Sequence, residues 1–177
     1  MEEKDRKRYG EETQEIFSGS AVELARWLLG KTLCRKKHDG CVVRLTITET
    51  EAYGHDDPAC YGYGGKKTPD NAPLFERGGI CCVYGEMLLM ACGEEGRADN
   101  VLIRRAGYES TYCGGPILVC EELGLEKPDS GTDLLTSDVL WLEGTDEARE
   151  CCRTQRVGLS DTIDKEYRVL EHRFILL

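Results

Sequence analysis

At 177 residues the chain suits one domain and leaves little room for two. Hydrophobic residues make up 40% and charged residues 32%, which excludes a disordered polar segment. A net charge of -10 argues against broad, nonspecific polyanion binding, though a local basic patch is compatible with it. No apolar run approaches the ~18 residues that a membrane span needs, so no membrane association is expected. The first 16 residues are charged and lack the apolar stretch of a signal peptide, and they read as a solvated, frayed start.

Ten cysteines are many for this length. No C-x-x-C pair occurs, and His38, His55 and His172 are scattered, so zinc-type spacing is absent and no metal is expected. Most of the cysteines lie in apolar runs, where a thiol behaves as a small hydrophobe, and this reading places the protein in a reducing cytoplasm.

In chain order, Ser20 to Glu23 reads as a capping box. Ala21, Leu24, Ala25 and Leu28 follow at helical spacing toward Gly30. His38, Asp39 and Gly40 form a turn signal between two strands. Residues 54–79 are dense in Gly, Asp, Pro and Asn, which predicts a long functional loop with short helical pieces. One β segment is expected over 80–93 and another over 100–108. Pro116 opens a short helix that runs through Leu123 and ends at Gly124. A strand over 138–144, a helix over Asp146–Arg153 and a final strand over 166–177 complete the pattern. The expected fold is α+β, a single domain around a curved, mostly antiparallel β-sheet with a few flanking helices. Its boundaries are a frayed 1–16 and a folded 17–177.

The most informative segment runs from Val43 to Tyr53. On an unbroken strand Val43, Leu45 and Ile47 share a face, and the same period carries Glu49, Glu51 and Tyr53 onto it. A carboxylate beside apolar surface suits a general base. The alternative is a strand that ends at Thr48 or bulges, leaving both glutamates solvated.

Glu49-Thr50-Glu51-Ala52-Tyr53, Asp56-Asp57-Pro58-Ala59, Gly64-Gly65 and Thr68-Pro69 ahead of Asn71 resemble the alkyladenine (3-methyladenine, methylpurine) DNA glycosylase family. Val83-Tyr84-Gly85, Val101 to Arg104, Gly115-Pro116, Val139 to Glu143 and Arg156-Val157-Gly158 continue the series in order. The resemblance extends from about Phe17 to the C-terminus.

The resemblance implies base excision by a monomer acting on double-stranded DNA with a damaged purine. The base is flipped out and its N-glycosidic bond hydrolysed, without metal or cofactor. It implies Glu51 as the base that activates water and Arg104 as the residue that helps hold that water. Tyr53 and Tyr61 would contact the substrate base, Tyr61 standing where the family has histidine. Tyr84 would wedge into the gap left in the duplex. Lys66, Lys67, Arg105 and Arg156 are the candidate basic face for DNA. Ala91 falls where the family has an asparagine that helps reject undamaged bases, and a second pocket tyrosine has no clear counterpart. Either Tyr167-Arg168 or Arg173-Phe174 matches the family's C-terminal Arg-Phe pair, and the first is preferred. The expected location is cytoplasmic, on the nucleoid in a bacterium. The alternatives are a divergent, catalytically weak member that binds a nucleobase or other small ligand in the same pocket, and a redox or metal protein using Cys81/Cys82 and Cys151/Cys152.

Overall fold

The computed structural model describes residues 6–108 and 111–177. In chain order they form β1 (Lys7–Arg8), α1 (Gln14–Ser18), α2 (Ala21–Leu28), β2 (Thr32–Lys36), β3 (Val42–Tyr53), β4 (Cys81–Tyr84) and β5 (Met87–Ala91). These are followed by β6 (Asn100–Tyr108), β7 (Thr111–Cys113), α3 (Pro116–Leu123), β8 (Leu140–Gly144), β9 (Cys151–Thr154), α4 (Lys165–Arg168) and β10 (Arg173–Leu176). All strands join one antiparallel sheet with a main order of β1-β8-β2-β3-β6-β5-β4. The architecture is α+β, as the pattern of elements implies.

The long strand β3 is the spine. One edge carries β6; the other carries β2 against its first half and β10 against Glu49–Glu51. Helix α2 starts on the capping box, with the Ser20 hydroxyl accepting from the Glu23 N–H and the Glu23 carboxylate accepting from the Ser20 N–H. Its buried stripe of Ala21, Leu24, Ala25 and Leu28 joins Leu45, Ile47, Ala52, Val101 and Ile103 from the sheet in the main core. Truncating one of those leucines to alanine costs about 2–5 kcal/mol by analogy with other buried sites. A smaller core on the opposite face joins Tyr53, Leu89 and Leu102 to Cys60, Leu74 and Phe75 of the 54–79 loop. The loop therefore covers the sheet face that α2 does not.

Four local expectations change. Residues 80–93 form a hairpin, because Gly85 (φ 54) and Glu86 (φ 63) supply the two positive-φ positions of a tight turn. Residues 146–153 do not form a helix: β10 offers ladder partners to Cys151–Thr154, and tertiary pairing overrides helix propensity. The terminal strand is confined to Arg173–Leu176, and Tyr167-Arg168 lies in the short α4, so the strand follows the Arg173-Phe174 register. The N-terminal segment is not frayed from Arg6 onward. Lys7 and Arg8 pair with Gly144 and Glu143, and Tyr9 is buried with its hydroxyl donating to the Thr145 carbonyl at 2.6 Å.

No helix among the described residues is long and apolar enough to cross a membrane. Nine cysteines are free thiols, six of them buried, with Cys41 and Cys152 exposed and Cys151 between; the Cys113 side chain lies outside the described set. Burial pushes Cys34, Cys81 and Cys120 up to about 12 and Cys60 to about 11. Among the described residues no group of three or more His, Cys, Asp or Glu could hold a metal.

Candidate active site

The decisive local feature is a double irregularity between β3 and β6. Ile47 pairs with Ala106, Glu49 with Arg105 and Thr50 with Ile103, so Thr48 and Arg104 are each an extra residue in the ladder. The bulge reverses the inside-outside alternation of β3. Leu45 and Ile47 face α2, and beyond the bulge that face is taken by Thr50 and Ala52. The Thr50 hydroxyl donates to the Ala25 carbonyl at 2.8 Å. Glu49, Glu51 and Tyr53 are thereby turned to the opposite face, under the loop. The expected continuous stripe from Val43 to Tyr53 is thus broken, yet both glutamates are buried rather than solvated.

Glu51 lines a cavity of about 450 Å³, a size typical of small-ligand sites. Its walls include Tyr53, Cys60, Tyr61, Met87, Leu102, Arg104 and Val157. One carboxylate oxygen of Glu51 accepts from the Val157 N–H at 2.9 Å, the other from the Tyr53 hydroxyl at 2.7 Å. Gly158, at φ 73, makes the turn that follows Val157. Arg104 Nη1 lies 3.6 Å from Glu51. An ionised carboxylate has about four acceptor positions, so these partners orient the group without exhausting it. Burial, then the charge of Glu51, push the Tyr53 phenol far above its usual range, which keeps it a hydrogen-bond donor.

Glu49 is the second buried carboxylate. It accepts from Arg173 Nε at 2.6 Å and sits 3.2 Å from Arg104 Nε and 3.3 Å from Arg105 Nε. Its hydrogen bond raises the Arg173 guanidinium still further above its ordinary value. Glu49 thus anchors three cations, and Arg104 spans both glutamates.

Tyr61 follows Cys60 on the loop and is 39% exposed. Its carbonyl accepts from the buried Asn71 amide, which also donates to the Lys66 carbonyl while its oxygen accepts from the Thr68 N–H. This explains structurally why Asn71 follows Thr68-Pro69. Tyr84, at the end of β4, stacks against Tyr61 with ring centroids 4.4 Å apart and planes inclined at 36°. Ala91 is buried on β5 and is not among the cavity-lining residues.

The candidate basic face divides. Lys66 and Lys67 are exposed, the latter 4.0 Å from Glu76, and Arg105 is half-exposed while tied to Glu49. Arg156 is a correction: its side chain is fully buried, paired with Asp57 at 2.7 Å and donating to the carbonyls of Ala52 and Tyr167. Its guanidinium lies 4.6 Å from the Tyr53 ring centroid, holding one face of that ring. Arg156 supports Tyr53 and is enclosed rather than displayed to a polyanion. Sequence reading did not assign Arg173, Val157 or Met87 to this neighbourhood; Arg173 was signalled by the register that was not preferred and Val157 by the Arg156-Val157-Gly158 motif, whereas Met87 had no signal.

A family model described as methylpurine-DNA glycosylase matches residues 15–176. The DNA-3-methyladenine glycosylase of Mus musculus is 31% identical over 157 residues, covering 73% of this chain and 47% of the relative. That of Homo sapiens is 32% identical over 157 residues, with 73% and 53% covered. A Chlorobium luteolum protein provisionally named 3-methyladenine DNA glycosylase is 30% identical over 177 residues, covering 88% of this chain and 90% of its own. The chain spans about half the length of the mammalian relatives it matches. With a match that takes in the buried glutamate pair, the cavity loop and the closing strand, the chain belongs to the methylpurine-DNA glycosylase family.

Proposed function

We propose that the protein is a DNA glycosylase that hydrolyses the N-glycosidic bond of an alkylated purine in double-stranded DNA. The observation that carries this reading is Glu51, buried, hydrogen-bonded through both oxygens and facing a 450 Å³ cavity walled by Tyr53 and Tyr61. A purine flipped out of the duplex enters the cavity and stacks on these rings. Water held between Glu51 and Arg104 gives its proton to Glu51 as its oxygen bonds to the anomeric carbon. The glycosidic bond breaks with its electron pair going to the purine. An N-alkylated purine begins cationic and leaves neutral, so its departure needs no proton.

Tyr53 and the Val157 N–H fix the carboxylate, and Arg156 with Asp57 fixes Tyr53 from behind. The chemistry uses only these side chains, and the protein is proposed to act as a monomer without metal or cofactor, in the cytoplasm. Incubation of the purified protein with a duplex containing 7-methylguanine, in the presence of EDTA, should release the free base and leave an abasic site. Loss of activity with chelator, or release of a nucleotide in place of a base, would refute this mechanism.

A second reading is favoured by the acidic charge of -10 and the burial of Arg156: a divergent member that binds a free nucleobase and grips DNA poorly. Base binding without excision from any lesion duplex at low salt would support it.

A further inference from the structure

Tyr61 lines the cavity and Tyr84 does not. Tyr84 lines a separate depression with Asp70, Leu125 and Lys127. The two rings are in contact all the same, at 4.4 Å and 36°. The backbone beneath Tyr61 is hydrogen-bonded and closely packed. Its carbonyl accepts from Asn71, and Gly62 packs so closely on Ala98 that an added Cβ would lie 2.2 Å from that side chain. Tyr61 is 39% exposed, whereas the Tyr53 ring is held by Glu51 and Arg156. Tyr84 is the aromatic neighbour that restrains the Tyr61 ring.

We propose that Tyr84 is a positioning residue of the base pocket, acting through Tyr61, in addition to any part it plays within the duplex. The stack holds the Tyr61 ring as a preformed wall for the purine, so that no ring has to be ordered when the base arrives. A residue that only wedges into DNA has no influence on a ligand that lacks DNA. A residue that holds the wall influences binding of the isolated base as well. The inference rests on the purine-pocket reading above and is separable from it by experiment.

The test is binding of free 3-methyladenine and free hypoxanthine to the full chain without DNA, followed by calorimetry. Tyr84→Leu should weaken both bases by about two- to tenfold, the range expected from one aromatic pair. Tyr84→Phe keeps the ring and should restore wild-type affinity. Tyr61→Leu should weaken binding at least as much, and adding Tyr84→Leu to it should cause no further loss, because the two act as one unit. Unchanged base affinity in Tyr84→Leu, independent additive losses in the double variant, or no base binding by the wild-type chain would each overturn the proposal. Excision from lesion duplex by the wild-type chain, run in parallel, reports on the glycosylase reading alone. An active enzyme whose Tyr84→Leu variant binds free base normally would sink only the positioning role.

Discussion

Replacing Glu51 with glutamine separates its chemistry from its structural contacts. The carbonyl oxygen of glutamine can keep the 2.9 Å bond from the Val157 N–H, and its NH₂ can donate to the Tyr53 hydroxyl oxygen where the carboxylate now accepts at 2.7 Å. What is lost is the proton acceptor, which contributes about 10²–10⁴-fold in rate, or roughly 3–5 kcal/mol of barrier. Glu49→Gln has the opposite profile. It removes the carboxylate shared by Arg173, Arg104 and Arg105, and breaking such a buried ion pair costs about 3–5 kcal/mol. At about 2–4 °C per kcal/mol for a chain of this size, Tm should fall by roughly 6–20 °C. Single-turnover excision on lesion duplex, with thermal unfolding of each variant, distinguishes the two. Glu51→Gln should be nearly inactive, stable and able to bind DNA, whereas Glu49→Gln should be less stable with a milder loss of rate. Equal rate losses, or a Glu51→Gln variant that unfolds while Glu49→Gln keeps its Tm, would refute the assignment.

Arg156→Met should destabilise the fold by about 3–5 kcal/mol, since it strands the buried Asp57, and should leave the salt dependence of DNA binding unchanged; an altered salt slope in a stable variant would contradict its burial. Lys66→Ala, Lys67→Ala and Arg105→Ala should each reduce the slope of log affinity against log salt by about 0.9 if that side chain meets a phosphate, within a total of about three to five contacts. A wild-type slope near zero with measurable binding would exclude an electrostatic grip. Cys41 and Cys152 should label rapidly with a thiol reagent at pH 8, whereas Cys34, Cys60, Cys81 and Cys120 should label only on unfolding. Those four thiols have raised pKa values when folded, so the unfolded state ionises first. Their contribution is intact below pH 9 and is lost as pH rises through 9 to about 11–12, which urea titrations across that range should register as falling stability.

Helix α2 and the β2–β3 hairpin were legible because cap and turn chemistry is local: Ser20 with Glu23, and Asp39-Gly40. The placement of Glu51 was legible only as a motif. Periodicity put it on the α2 face, and the extra residue at Thr48, which turns it to the loop face, depends on how β6 pairs alongside. The same limit applies to residues 146–153, whose helical composition yields to a β10 partner some twenty residues away. Arg156 looked like a surface cation because sequence does not show Asp57 across the loop, nor the carbonyls that complete its shell. Arg173 was legible as half of an Arg-Phe pair but not as the partner of Glu49, which is 124 positions earlier in the chain.

The most direct test of Glu51-driven hydrolysis in this cavity is the single-turnover rate of base release from one duplex sequence carrying 7-methylguanine, 3-methyladenine or hypoxanthine in turn. The cavity walls offer the rings of Tyr53 and Tyr61, so on the proposed reading selectivity rests on stacking and on the lability of the damaged base. Both cationic bases should be released much faster than hypoxanthine, and Glu51→Gln should abolish release of all three. Hypoxanthine released as fast as the cationic bases, or release that survives Glu51→Gln, would contradict it.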